Sequence, residues 1–370
     1  MWPVGFMEVR EISHPLLLVR NLKKYFPIKS GVMQKVVGYV KAVDGVSFDI
    51  NKSETFGVVG ESGSGKTTMG LSILRLIEPT DGEIIFDASP KIMEEIKMLE
   101  AKRNLNERDK KRLKELKEKY NLRKKSKKDM LNIRMKMQVV FQDPYTSFNP
   151  RMNMRDNIGV ILKTHNHKLS NKDIDEYVLE LMEKCGLAKR HLRRFPHQLS
   201  GGELQRASIA RALALNPKFI VMDEPTSALD VSVQAQILDL MQDLQKEMNL
   251  TYLFISHDLG VVEYISDKIA VMYLGSIVEL GTTTQIFEDM KHPYTRALLE
   301  SIPYPDPDKK GSIKPLYGSI PSPRNPPPGC KFHTRCPYAK EICKKKAPPL
   351  VDVGNGHLVA CWKYVEGAYK

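Results

Sequence analysis

The feature that most narrows the fold is the run Gly60-Glu61-Ser62-Gly63-Ser64-Gly65-Lys66-Thr67, which follows an apolar stretch ending at Val59 and opens a helical pattern. It matches G-x-x-x-x-G-K-[ST] in full, in the strand-to-helix setting that such a loop requires. Glycines let the backbone curl until successive N–H groups face inward as an anion cradle, and the helix N-terminus adds the positive end of its dipole. The cradle suits a polyphosphate. Lys66 is placed to contact the β and γ phosphates, the Thr67 hydroxyl to ligate Mg²⁺, and Thr68 completes the binding set.

A second element, Phe219-Ile220-Val221-Met222-Asp223-Glu224, is an apolar strand ending in two carboxylates. Asp223 can hold Mg²⁺ through its water shell, which leaves Glu224 to polarise an attacking water as general base. Short apolar runs at 16–19, 46–50, 56–59, 84–86, 138–141, 219–222 and 252–255 read as strands, with helical patterns at 67–77, 203–215 and 233–248. That alternation predicts an α/β chain with a largely parallel sheet and helices on its faces.

The 370 residues predict about two domains at roughly 150 residues each. No stretch approaches the ~18 consecutive apolar residues of a membrane span, and Met1 to Arg20 lacks the pattern of a secretory signal, so the expected location is the cytosol. The net charge of +13 is local rather than general, since residues 88–130 alone carry 16 basic and 8 acidic side chains. In that segment Ile92, Ile96 and Leu99, then Leu113, Leu116 and Tyr120, fall at helical spacing. This predicts a solvated, projecting helical hairpin with its bend near Asn104 to Asn106, a docking or nucleic-acid surface being the alternative. Nine of the 23 prolines lie between Ser301 and Gly329 and predict a linker. Beyond it Cys330, Cys336, Cys343 and Cys361 crowd together, while Cys185 stands apart as a core residue. Four soft ligands suit an iron–sulfur cluster or zinc, although the close C-x₂₋₄-C pairs of zinc ribbons are absent; unliganded thiols are the third reading.

At Leu199-Ser200-Gly201-Gly202-Glu203, followed by Leu204-Gln205-Arg206, a hydroxyl and two glycines precede another helix and form a second N–H cluster suited to a γ-phosphate. With this run the chain resembles the ATP-binding cassette proteins. The resemblance implies a P-loop NTPase cassette with a RecA-like core, an antiparallel β subdomain and a helical subdomain. It also implies a head-to-tail dimer, each ATP held between one chain's loop and its partner's Ser200, Gly201, Gly202 and Glu203. In the family pattern Gln142 of Phe141-Gln142-Asp143-Pro144 senses Mg²⁺ and the membrane partner, Asp230 of Ser227-Ala228-Leu229-Asp230 orders the dimer interface, and His257 contacts the γ-phosphate. Aligned on Asn21 to Lys24, Phe26 is the expected adenine-stacking ring, with Tyr25 the alternative.

Val43-Asp44-Gly45-Val46-Ser47-Phe48, Asp143-Pro144-Tyr145, Asn149-Pro150-Arg151 and His292-Pro293-Tyr294-Thr295-Arg296-Ala297-Leu298-Leu299 are similar to oligopeptide/dipeptide importer ATPases, more to the F-type than to the D-type subunit. This resemblance implies a cassette over 16–290 with the 88–130 hairpin inserted, and a C-terminal extension over 291–370. In some members that extension binds a [4Fe-4S] cluster through cysteines matching Cys330, Cys336, Cys343 and Cys361, with a structural role. It further implies ATP and Mg²⁺ as ligands and a peripheral place on the cytoplasmic face of the membrane. The implied partners are a D-type ATPase or a second copy, two permease subunits and an extracytoplasmic solute-binding protein. The contrasting reading, a chromosome-maintenance or repair ATPase using the basic hairpin on nucleic acid, meets an excursion far too short for the long coiled coils of that class, and no nucleic-acid partner is expected.

Overall fold

A computed structural model describes residues 14–31, 33–102, 104–165, 169–301 and 318–368. Most of the expected proline linker, and most of the stretch read for a secretory signal, lie outside these residues. The chain opens with two long strands, β1 (Pro15–Ser30) and β2 (Lys35–Asn51), then β3 (Thr55–Val59), α1 (Lys66–Ile73) and β4 (Asp81–Phe86). Helices α2 (Pro90–Ala101), α3 (Glu107–Tyr120) and α4 (Lys127–Lys136) lead to β5 (Met137–Val140), followed by α5 (Pro144–Ser147), α6 (Met154–His165) and α7 (Asn171–Lys184). Next come α8 (Gly201–Leu213), β6 (Phe219–Asp223), α9 (Val231–Met248), β7 (Thr251–Ile255), α10 (Leu259–Ile265), β8 (Lys268–Tyr273) and β9 (Ser276–Thr282). The remaining elements are α11 (Thr283–Glu288), α12 (Pro293–Glu300), α13 (Glu341–Lys345), β10 (Val351–Asp352) and β11 (Leu358–Val359).

Strands β2, β1 and β4 form an antiparallel sheet, and the other eight form a second sheet in the order β10-β11-β9-β8-β3-β7-β6-β5. Its central run, β8-β3-β7-β6-β5, is parallel throughout. Every residue of β3, β6 and β7 is buried, as expected of parallel strands covered on both faces. One apolar core joins this sheet to α6 to α9, with Ile158, Val178, Leu204 and Met241 at its centre. The other joins it to α1 and the antiparallel sheet through Met69, Ile73, Leu17 and Ile50. Helix α1 lies close against the strands because Gly70 has no side chain; a Cβ there would stand 2.9 Å from Val221 and 3.0 Å from Ile255.

The basic excursion is helical as expected and bends where Asn106 caps α3 by accepting the Asp109 N–H. It does not project into solvent, which corrects the expectation. Met93, Ile96, Leu99 and Leu116 pack on Leu18 and Ile85 of the antiparallel sheet, so the apolar stripe is buried and the charged face remains outside. Ion pairs from Arg20 and Lys117 to Glu100 fasten the same contact. At the other end of the chain, β11 pairs antiparallel with β9, so the cysteine-bearing segment adds its strands to the main sheet.

Candidate nucleotide site

The 60–67 loop connects β3 to α1 at the carboxyl ends of the parallel strands, where an open α/β sheet offers its crevice. Its curl needs glycine. Gly60 has φ 147° and its missing Cβ would lie 2.2 Å from the Met272 carbonyl oxygen, while Gly65 has φ 101° and would lie 2.0 Å from that of Ala42. The Lys66 ammonium folds over the loop and donates to the carbonyls of Gly60 at 2.7 Å and Glu61 at 3.2 Å. Burial lowers its pKa, against the opposing pull of Glu224, Asp223 and Glu61.

The Thr67 hydroxyl donates to Asp223 Oδ1 at 2.8 Å, so the end of β6 meets the start of α1. Burial raises the Asp223 carboxyl, and the neighbouring Glu224 charge adds to this, while the Thr67 hydrogen bond and Lys66 oppose it. Glu224 itself has φ 47°, the left-handed region rarely occupied by a residue with a side chain. Its Oε2 accepts from Gln142 Nε2 at 2.8 Å and lies 3.1 Å from His257 Nδ1. Gln142, Glu224 and His257, from three separate strand ends, thus converge on one carboxylate. They share a cavity with residues 62–68, with Val40 and Ala42 of β2, and with Pro323.

Phe26 does not line that cavity, but it stands opposite Val40 in the β1–β2 register, and opposed residues share a face. Tyr25 stands opposite Lys41, and its hydroxyl donates to the Asp44 carboxylate. Ser200 caps α8: its hydroxyl accepts the Glu203 N–H at 3.3 Å and Glu203 Oε2 accepts the Ser200 N–H at 2.8 Å, a closed capping box. Asp230 caps α9 by accepting the Val233 N–H at 3.0 Å, and the Ser232 hydroxyl bound to it holds its carboxyl below the ordinary value. Ser200, Gly201, Gly202, Glu203 and Asp230 do not border the loop's cavity.

Cys330, Cys336, Cys343 and Cys361 line one small cavity with His292, Phe332 and His333, and all four are free thiols. Burial pushes Cys330 and Cys336 up to about 11 and raises Cys361. The donor chemistry fits a soft metal centre. The arrangement does not, because among the described residues no three His, Cys, Asp or Glu side chains are gathered to hold a metal ion. Cys185 is buried in the core as expected. Sequence reasoning quoted Asp44 and Tyr294 only within runs similar to importer ATPases and gave them no role at the site, and it missed Lys331 and Arg335; Tyr294 and Arg335 reach the loop at Glu61, and Lys331 reaches Asp44.

Residues 43–227 match the family model described as ABC transporter, and residues 278–343 match that of the oligopeptide/dipeptide transporter C-terminal region. The chain is 48% identical over 355 residues to the oligopeptide transport ATP-binding protein AppF of Bacillus subtilis, covering 94% of this chain and 97% of that protein. It is 46% identical to the dipeptide transport ATP-binding protein DppF of Haemophilus influenzae, covering 96% and 98%. The fold is similar to that of the ATP-binding cassette MJ0796, solved as a dimer in a post-hydrolysis state bound to ADP and Pi, at TM-score 0.57 and 25% identity over 72% of this chain and 98% of that one. The chain therefore belongs to the ATP-hydrolysing subunits of ABC transporters, in the oligopeptide/dipeptide branch.

Proposed function

We propose that this chain powers import of peptides by closing on ATP as one half of a head-to-tail cassette dimer and reopening on hydrolysis. The convergence of Gln142, Glu224 and His257 beside the loop carries the reading. Gly60 to Thr68 wrap the triphosphate, with Lys66 on the β and γ phosphates and Phe26 under the adenine. The oxygens of Thr67 and Asp223, 2.8 Å apart, together with Gln142, suit a hard cation and would hold Mg²⁺, which supplies charge neutralisation on the phosphates when bound. Glu224 then takes a proton from the attacking water, Gln142 and His257 orient its carboxylate, and His257 also reaches the γ-phosphate. Ser200 to Glu203 complete the partner's site, and Asp230 orders the interface.

The natural partners on this reading are a paralogous D-type ATPase or a second copy, two permeases and an extracytoplasmic solute-binding protein, with the chain on the cytoplasmic face of the membrane. No helix among the described residues is long and apolar enough to cross a bilayer. The cassette is taken to span 16–290, with the hairpin of 88–130 inside it, and the extension 291–370. The repair-ATPase reading is not favoured, since the relatives are named for peptide transport and the hairpin's apolar stripe is already occupied.

The experiment is Glu224→Gln with MgATP, which should yield an ATP-loaded dimer stable to size exclusion; unchanged turnover with no dimer rejects the reading. For the cysteines we propose a structural [4Fe-4S] cluster held by Cys330, Cys336, Cys343 and Cys361, which share one cavity; its assembly would have to draw the four thiols together, since among the described residues they are not gathered as a metal site. Anaerobically purified protein should be brown and carry about four irons per chain, one for each thiol ligand. A colourless, iron-free preparation would sink that assignment.

A further inference from the structure

Groups from beyond residue 290 take hold of the phosphate loop at one point, Glu61. Arg335, one position before Cys336 and 8% exposed, donates from its two terminal nitrogens to both Glu61 carboxylate oxygens, at 2.7 and 3.0 Å. This is the fork-on-carboxylate geometry of the stronger ion pairs, and it is shielded from water. The fully buried Tyr294 of α12 accepts the Glu61 backbone N–H on its hydroxyl at 2.9 Å. Arg335 is itself braced, its guanidinium 5.9 Å from the Tyr273 ring centroid and 6.0 Å from that of Phe332. Tyr273, Tyr294 and Phe332 pack on one another with centroids 4.7 to 5.4 Å apart, and Phe332 also walls the cysteine cavity.

A second tie runs in parallel. Lys331, beside Cys330, donates to Asp44 at 3.0 Å and to the Leu274 carbonyl at 2.8 Å, and Asp44 accepts from Tyr25, next to Phe26. Pro323 from the same segment borders the nucleotide cavity. A loop rich in glycine loses more backbone freedom in holding its curl than other loops do, so ties from outside add to those that Lys66 makes within it. Glu61 is the first side chain in that loop, and its external anchor reduces the ordering that ATP would otherwise have to impose.

We propose that Arg335 is a positioning residue for nucleotide binding: by gripping Glu61 it holds the phosphate loop in its cradling shape, so that the cysteine-bearing segment sets the affinity for MgATP. The proposal rests on the reading of residues 60–67 as the triphosphate site. A preformed cradle benefits ground and transition states alike, so its loss raises KM and leaves kcat in place.

The test is steady-state ATPase and equilibrium MgATP binding by the whole chain carrying Arg335→Met, Glu61→Gln or both. Each single variant should raise KM and Kd about tenfold with kcat within about twofold, and the double variant should be no worse than either single one. A lower melting temperature with unchanged KM and Kd would make the pair a mere latch and overturn the proposal, as would full additivity. If Arg335→Met does not fold, Glu61→Gln probes the same pair from the loop side, and an unchanged Kd there is equally fatal. Lys66→Ala separates the two levels. If it abolishes MgATP binding while Arg335→Met and Glu61→Gln leave Kd unchanged, only the positioning role falls; if it binds normally, the cradle reading falls as well.

Discussion

Glu224 combines a backbone in the left-handed region, φ 47°, with a carboxylate that meets Gln142 and His257. Such a conformation persists only where its surroundings over-determine it, and here the Glu224 N–H is tied to the Ile255 carbonyl of β7 at 2.9 Å. Glu224→Gln keeps the shape of the side chain and an oxygen for Gln142, and removes only the charge that accepts a proton. Turnover should therefore fall by about 10² or more while MgATP binding persists, as measured by phosphate release and nucleotide retention. Asp223 and Glu224 were legible because they end an apolar run. Arg335 was not: 274 positions separate it from Glu61, and an isolated arginine near a cysteine carries no pattern of its own.

The hairpin of α2 and α3 shows what periodicity can and cannot reveal about an element. Its spacing identified both helices, whereas the depth of burial depended on the sheet face that receives them. Ile96 is 0% exposed and packs with Leu18 and Ile85. Ile96→Ala should cost about 2 to 5 kcal/mol of stability in denaturant unfolding, by loss of transfer energy and creation of a cavity. Lys111→Ala, on the exposed face, should stay within about 0.5 kcal/mol. Equal and small effects would mean that the hairpin is not part of the core. Strands β8 and β9 and helices α6 and α7 went unread; the short runs of β8 and β9 lack a distinguishing signature without their neighbours, whereas α7 was legible in principle, with Ile174, Val178, Leu181 and Met182 at helical spacing behind the Ser170–Asp173 capping box.

For the molecule as a whole, the capping box of Ser200 and Glu203 leaves Ser200 exposed and away from the chain's own loop cavity, as a surface offered to another chain would be. Ser200→Arg should abolish ATP-driven dimerisation and turnover and leave MgATP binding by the single chain within about twofold, read by light scattering and equilibrium binding. Loss of the cap would lower stability by about 1 kcal/mol, too little to unfold the chain. Dimerisation that survives the substitution would remove the signature run from the interface.

The chemistry of the cradle was readable from the one-dimensional chain because a phosphate loop, a helix cap and a strand-end carboxylate each need contiguous residues, so their geometry is local. Convergence is different in kind. Thr67 with Asp223, Gln142 with Glu224 and Glu61 with Arg335 meet only because particular strands lie side by side and the last segment closes over the sheet edge. Strand order and helix docking follow from burial of apolar faces summed over the whole chain, a quantity that no short window contains.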